Sequence, residues 1–228
     1  MNVRISHMSM RKAAVVAGAA YLAMFIPAIF ANFFVLTRLI VEGDAAATTQ
    51  NIIANEMLFR GATVGLLVVA ILDIIVALAL YVFLSPAGKS MSLLGAWLRV
   101  AYAAVFALAL SNLAMVPELL HGAAYAGAQL EAQVLWAVNA FDSGWTVGLS
   151  VFGFHLLAIG YLTVKSGYIP RLIGVLLLIA GVGYVVDTLG AMLVPGYGLA
   201  LGQYTFFGEL VFPVWLLLRG GKGAPHGA

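Results

Sequence analysis

Four ionisable residues, Asp73, Arg99, His155 and Glu209, sit inside four separate long apolar runs. Their types suit three kinds of chemistry. An aspartate and an arginine pair as ions, a histidine or glutamate holds and releases a proton, and an arginine clamps an anionic group. Each such group costs on the order of 2.5–3.5 kcal/mol at the centre of a membrane helix, so the four are expected to face one another in a bundle interior. Asp73 and Arg99 are the expected ion pair. One permanent cation then faces two carboxylates. The surplus charge is removed if His155 is protonated, if a carboxyl keeps its proton, or if a cation binds, and the second option asks least of a water-poor site.

The elements that position these residues are membrane spans. The chain is 64% hydrophobic and 9% charged, far from the quarter or so of charged residues in a soluble domain. Apolar stretches long enough to cross about 30 Å of hydrocarbon recur at residues 13–36, 61–84, 91–116, 145–164, 172–193 and 203–218. The fold class expected is all-α: a polytopic six-transmembrane-helix bundle forming a single membrane domain over residues 1–228. With both termini on the cytoplasmic side, Arg4, Arg11, Lys12, Lys89, Lys165, Arg171, Arg219 and Lys222 all fall inside. The outer segments then hold Glu42, Asp44, Glu56, Glu118, Glu131 and Asp142 against Arg38 and Arg60, as the positive-inside rule requires. The first span follows Arg11 and Lys12 but is too long for a signal-peptide core and lacks a small-residue cleavage site.

Counting about 1.5 Å per residue from the inner end of each helix puts Asp73 roughly 16 Å deep, Arg99 about 12 Å, His155 about 15 Å and Glu209 about 14 Å. Asp187 comes out near 25 Å and stands apart, a secondary candidate read as structural, bonding Tyr184 or capping a kink. Asn32 is the other secondary candidate. Two prolines mark helix kinks: Pro213 deprives the Glu209 carbonyl of its helical donor, and Pro27 does the same for Ala23. Irregular backbone at membrane depth fits a site buried in protein or lining water.

Outside the spans, Thr48 or Thr49 is expected to cap a helix over 51–59 that runs into the second span, with Glu56 and Arg60 paired at i,i+4. Apolar Leu130, Val134, Leu135, Val138 and Phe141 recur at helical spacing and predict a short outer helix over 129–141 lying on the membrane surface. His7, His121 and His226 are read as solvated. Gly144 and Gly148, and Gly174, Gly181, Gly183 and Gly190, are close-packing positions that leave oligomeric state open.

Several chemistries find little support. No cysteine is present, so thiolate catalysis and cysteine metal sites are excluded. The basic residues form short flanking clusters rather than a nucleic-acid stripe. Only His155 lies in a span, too few histidines for a usual metal-hydrolase centre, and no metal site or cofactor is assigned. Ser150 and His155 at i,i+5 lie on different helix faces, and no phosphate loop or dinucleotide fingerprint appears.

F-H-L-L-A-I-G-Y-L at 154–162, S-G-Y-I-P-R-L-I-G-V-L-L at 166–177, G-Y-V-V-D at 183–187 and F-G-E-L-V-F-P-V-W-L-L-L-R-G at 207–220 carry a resemblance to a known family. G-D-A-A-A-T at 43–48 and L-F-R-G at 58–61 extend it into the N-terminal half. The chain resembles the bacterial multi-pass membrane proteins filed as domain of unknown function 4386. That resemblance implies a bacterial cytoplasmic-membrane protein and brings no site residue, cofactor or partner with it.

The expected function is therefore a transport or small-ligand-binding bundle in contact with membrane lipids, with a small molecule or ion as ligand and a titratable polar cluster at mid-membrane. In that reading Glu209 or His155 carries the mobile proton, and Arg99 holds Asp73 ionised or binds an anionic group. The alternative is a structural or interaction protein whose cluster only locks the helices. An intramembrane lipid-modifying enzyme is the third reading.

Overall fold

A computed structural model describes residues 8–220, so the expectations for Arg4, His7, Lys222 and His226 lie outside the described residues. Within them the chain is all helix and turn, without a strand. The order is α1 (Met10–Ile29), a π-helix (Phe30–Leu36), α2 (Thr37–Leu39), α3 (Ala45–Ala54), α4 (Glu56–Leu84), a 3-10 turn (Ser85–Ala87) and α5 (Lys89–His121). Then follow α6 (Ala128–Ser166), α7 (Arg171–Leu193), α8 (Gly202–Thr205) and α9 (Phe207–Arg219). Five helical stretches, Met10–Leu39, Glu56–Ala87, Lys89–His121, Ala128–Ser166 and Arg171–Leu193, are long and apolar enough to cross a membrane.

The apolar pattern is the reverse of a soluble protein's. On α4, Val64, Leu67, Val68, Ile71, Ile74, Ile75 and Leu78 are exposed at helical spacing, a stripe suited to lipid. The opposite stripe, Leu66, Val69, Ala70, Asp73, Val76, Ala77 and Leu80, is buried. Asp73 thus points inward because it shares the phase of the packed face. Arg99 does the same on α5, in phase with buried Ser92, Gly95, Tyr102 and Phe106.

The chain divides into two compact units. The first gathers the chain through Leu22, Asp73–Ala101 and the chain from Leu149 onward; the second gathers Ala23–Leu72 and Tyr102–Gly148.

In the first unit, glycines set how closely the helices pack. Gly153 and Gly160 of α6 meet Gly181 and Gly174 of α7 in antiparallel register, so that the backbones touch. Gly208 of α9 lies against the Leu176–Leu177 backbone of α7, and Gly18 of α1 against Leu217 and the Pro213 carbonyl. The Arg11 guanidinium closes the end of α9, donating to the carbonyls of Gly220 at 2.7 Å, Leu217 at 3.0 Å and Leu216 at 3.4 Å. These carbonyls lie in the last turn of α9, where a cation is favoured. Arg11→Ala is expected to cost about 1–2 kcal/mol and to speed amide exchange at Gly220, whose N–H bonds to Trp215 and Leu216, more than in α7. Equal exchange at both places would mean that the clasp carries no stability. In the α6–α7 connection, Tyr168 donates to the Phe83 carbonyl at 2.9 Å and packs edge-on to the Phe83 ring. Burial pushes its hydroxyl up to about 12.

In the second unit, the π-helix begins three residues after Pro27, where the normal i→i−4 ladder has already lost a donor. Asn32 lies in it and donates to the Ala28 carbonyl at 2.9 Å. Phe141, Trp145 and Phe106 form an aromatic cluster, and Gly144 of α6 brings the Ala109 side of α5 close.

Several expectations are corrected. Residues 203–218, expected as one continuous helix, fall in two: α8 ends at Thr205 and α9 restarts at Phe207 with 13 residues, about 20 Å. The Glu209 N–H bonds to the Phe206 carbonyl, a tight i→i−3 turn that seats Gly208 on α7. Residues 129–141 are helical, but the helix has no end of its own. It is the first third of the 39-residue α6, and its apolar face, Val134, Val138 and Phe141, is buried by the protein. Asp44, not Thr48 or Thr49, caps α3, accepting from the Ala47 N–H at 2.9 Å. Thr48 is instead buried and bonds both the N–H and the carbonyl of Val41. The helix expected to run from 51 into the second span stops at Asn55, whose backbone leaves the helical region. His121 is exposed but not merely solvated: its Nε2 is 3.0 Å from both Glu56 oxygens, and Glu56 also accepts from Arg60 at 2.7 Å.

Candidate functional site

Arg99 is the hub of the first unit, with 1% of its surface exposed, beside Asp73 at 2% and His155 at 0%. Its Nη2 donates to Asp73 Oδ1 at 2.5 Å. Its Nη1 donates to the Tyr21 hydroxyl at 2.6 Å and lies 3.2 Å from His155 Nε2. The guanidinium carbon stands 4.6 Å from the Tyr21 ring centre and 5.3 Å from that of Phe152. One cation of α5 is thus held by a carboxylate, a phenol, an imidazole and two aromatic faces, drawn from α1, α4 and α6.

Hydrogen-bond logic fixes the histidine. His155 Nδ1 is 2.8 Å from the Gly95 carbonyl, which can only accept, so Nδ1 carries the proton. Arg99 can only donate, so Nε2 must accept. An imidazole that donates at one nitrogen and accepts at the other is neutral. In this arrangement His155 links the Gly95 carbonyl of α5 to the Arg99 guanidinium.

Glu209 occupies a different position. It lies in the first turn of α9, immediately after the break, and Pro213 follows it by one turn. Tyr184 of α7 hydrogen-bonds its carboxyl, and Arg99, Asp73 and Tyr21 interact with its charge through space. Oε1 is shut away from solvent without a hydrogen-bond partner. With Asp73 paired to Arg99 and His155 neutral, the surplus carboxylate identified by counting charges is Glu209.

Asp187 is held elsewhere. Its Oδ1 accepts from the Tyr197 hydroxyl and the Leu201 N–H, each at 2.8 Å, and its Oδ2 from the Gly202 N–H at 2.6 Å. It pins the α7–α8 connection through Tyr197 rather than bonding Tyr184 as expected. Tyr197 itself is pushed up, first by desolvation and then by the Asp187 hydrogen bond and charge. Asn32 belongs to the second unit. Among the described residues, no three His, Asp or Glu side chains converge as a metal centre would need.

Sequence reasoning missed Tyr21, Phe152 and the Gly95 carbonyl. A tyrosine within the first span was the available signal, since a phenol at that depth needs a partner for its hydroxyl.

An uncharacterized protein of Archaeoglobus fulgidus is 38% identical over 159 residues, covering 70% of this chain and 83% of that one. No solved structure matches the chain. The matched family is described as domain of unknown function, DUF4386, and its profile covers residues 16–220. This chain belongs to that family.

Proposed function

We propose that the protein is a proton-binding membrane bundle, a transporter or small-ligand binder in which Glu209 is the group that gains and loses the proton. The observation that carries this reading is the Glu209 carboxyl: one oxygen buried without a partner, beside an ion pair that is already balanced. A carboxylate left so is costly unless a proton or cation joins it. The interrupted α8–α9 segment supports the reading, because discontinuous helices in membranes often bring backbone ends to a binding site. We further propose six crossings of a cytoplasmic membrane with both ends inside. In that arrangement the segregation of Arg11, Lys12, Lys89, Lys165, Arg171 and Arg219 obeys the positive-inside rule.

The test is proton uptake by the purified protein, followed with an indicator dye. Wild type is expected to take up about one proton more than Glu209→Gln as the pH is lowered from alkaline to acid, both variants inserting and unfolding alike. Equal uptake by the two would sink the reading. The structural-lock alternative has its own support in the Arg99 cluster, which is buried and well bonded. It predicts that Glu209→Gln alters stability but not proton uptake.

A further inference from the structure

We infer that Glu209 exchanges its proton toward the Asp187 end of α7, with the Tyr184 hydroxyl as the relay and Gly202 as the residue that positions it. This rests on the proton-binding reading above. Tyr184 and Asp187 are three residues apart on α7 and so share a face. Both border Gly202: a Cβ there would stand 2.9 Å from Tyr184 Cε1 and 3.3 Å from Asp187 Oδ2. Glycine therefore lets the phenol ring lie flush with the start of α8, where its hydroxyl reaches Glu209. The ring is braced on its other side by Phe152, with centroids 5.8 Å apart.

Asp187 Oδ2 accepts the Gly202 N–H, so a carboxylate borders the same glycine that seats the phenol. Solvent on that side supplies the proton. In the transfer step a proton joins the Tyr184 oxygen while the original Tyr184 O–H bond breaks and an O–H bond forms on Glu209. Tyrosine ends neutral, Glu209 ends protonated, and no electrons are exchanged. Release is the reverse. The other groups facing Glu209 are fixed. Arg99 of α5 and Asp73 of α4 are paired, Tyr21 of α1 accepts from Arg99, and His155 of α6 is neutral and doubly bonded. They set the field at Glu209 without passing the proton on.

The experiment uses the full chain in vesicles of known orientation, with the carboxylic C=O stretch of Glu209 assigned as the band lost in Glu209→Gln. Wild type is expected to respond to acidification on the side bearing the α7–α8 connection. Tyr184→Phe is expected to slow that response about a hundredfold, with unchanged helicity. Gly202→Ala should also slow it by displacing the ring, and if that variant does not fold, Tyr184→Phe decides alone. A response driven from the opposite side, or a wild-type rate in Tyr184→Phe, overturns the relay while leaving Glu209 as the proton carrier. If no band distinguishes wild type from Glu209→Gln, the proton-binding reading fails and the relay falls with it.

Discussion

Replacing Arg99 with leucine is expected to lower the unfolding free energy by about 3–5 kcal/mol, whereas adding Asp73→Asn to Arg99→Leu should recover most of that loss. The single change leaves Asp73, 2% exposed, without its cation. It also leaves the Tyr21 hydroxyl and His155 Nε2 without their donor. The second change removes the stranded charge, so what remains is the cost of two neutral acceptors, about 1–3 kcal/mol. Denaturant unfolding in detergent of wild type, both single variants and the double variant measures the coupling. If the two single losses simply add, the ion pair contributes nothing and the cluster is held by its aromatic packing alone.

The second large effect is steric. Gly181→Val is expected to cost about 3 kcal/mol, because a Cβ at Gly181 would lie 2.7 Å from the Gly153 carbonyl oxygen, and backbone cannot swing aside as a side chain can. Gly174 is similar, with the Val164 nitrogen 2.8 Å from the built atom. Gly61 is the control. It lies in α4 with nothing within 4 Å of a built Cβ, so Gly61→Ala should be neutral or stabilising by up to about 1 kcal/mol. Thermal unfolding of the two variants tests this, and a tolerated Gly181→Val would mean that α6 and α7 can separate without penalty.

The inward-facing charges were legible in sequence because apolar surroundings make them expensive and so informative. Their types alone suggested the Asp73–Arg99 pair. The surplus carboxylate was legible too, as Glu209 once Asp73 is paired; the His155 tautomer was not, because it depends on the Gly95 carbonyl that α5 presents. The break before Glu209 was hidden for a similar reason. Nothing in Thr205–Phe206–Gly208 forbids a helix, and the turn follows from seating Gly208 on the backbone of α7. The outer helix was misread because an amphipathic stripe looks the same whether lipid headgroups or protein cover it. Gly174 and Gly181 announced a close contact, yet their partners Gly153 and Gly160 became visible only once the register of α6 against α7 was known.

The Arg11 clasp has a bearing on biogenesis. Its acceptors lie 205 to 209 residues downstream, so α1 enters the bilayer long before α9 has been translated. During that interval the Gly18 groove and the Arg11 guanidinium await a partner that the ribosome has not yet made. Closing the first unit is therefore a late docking, and a nascent chain arrested before Arg219 would expose an open seam for quality-control proteases to recognise.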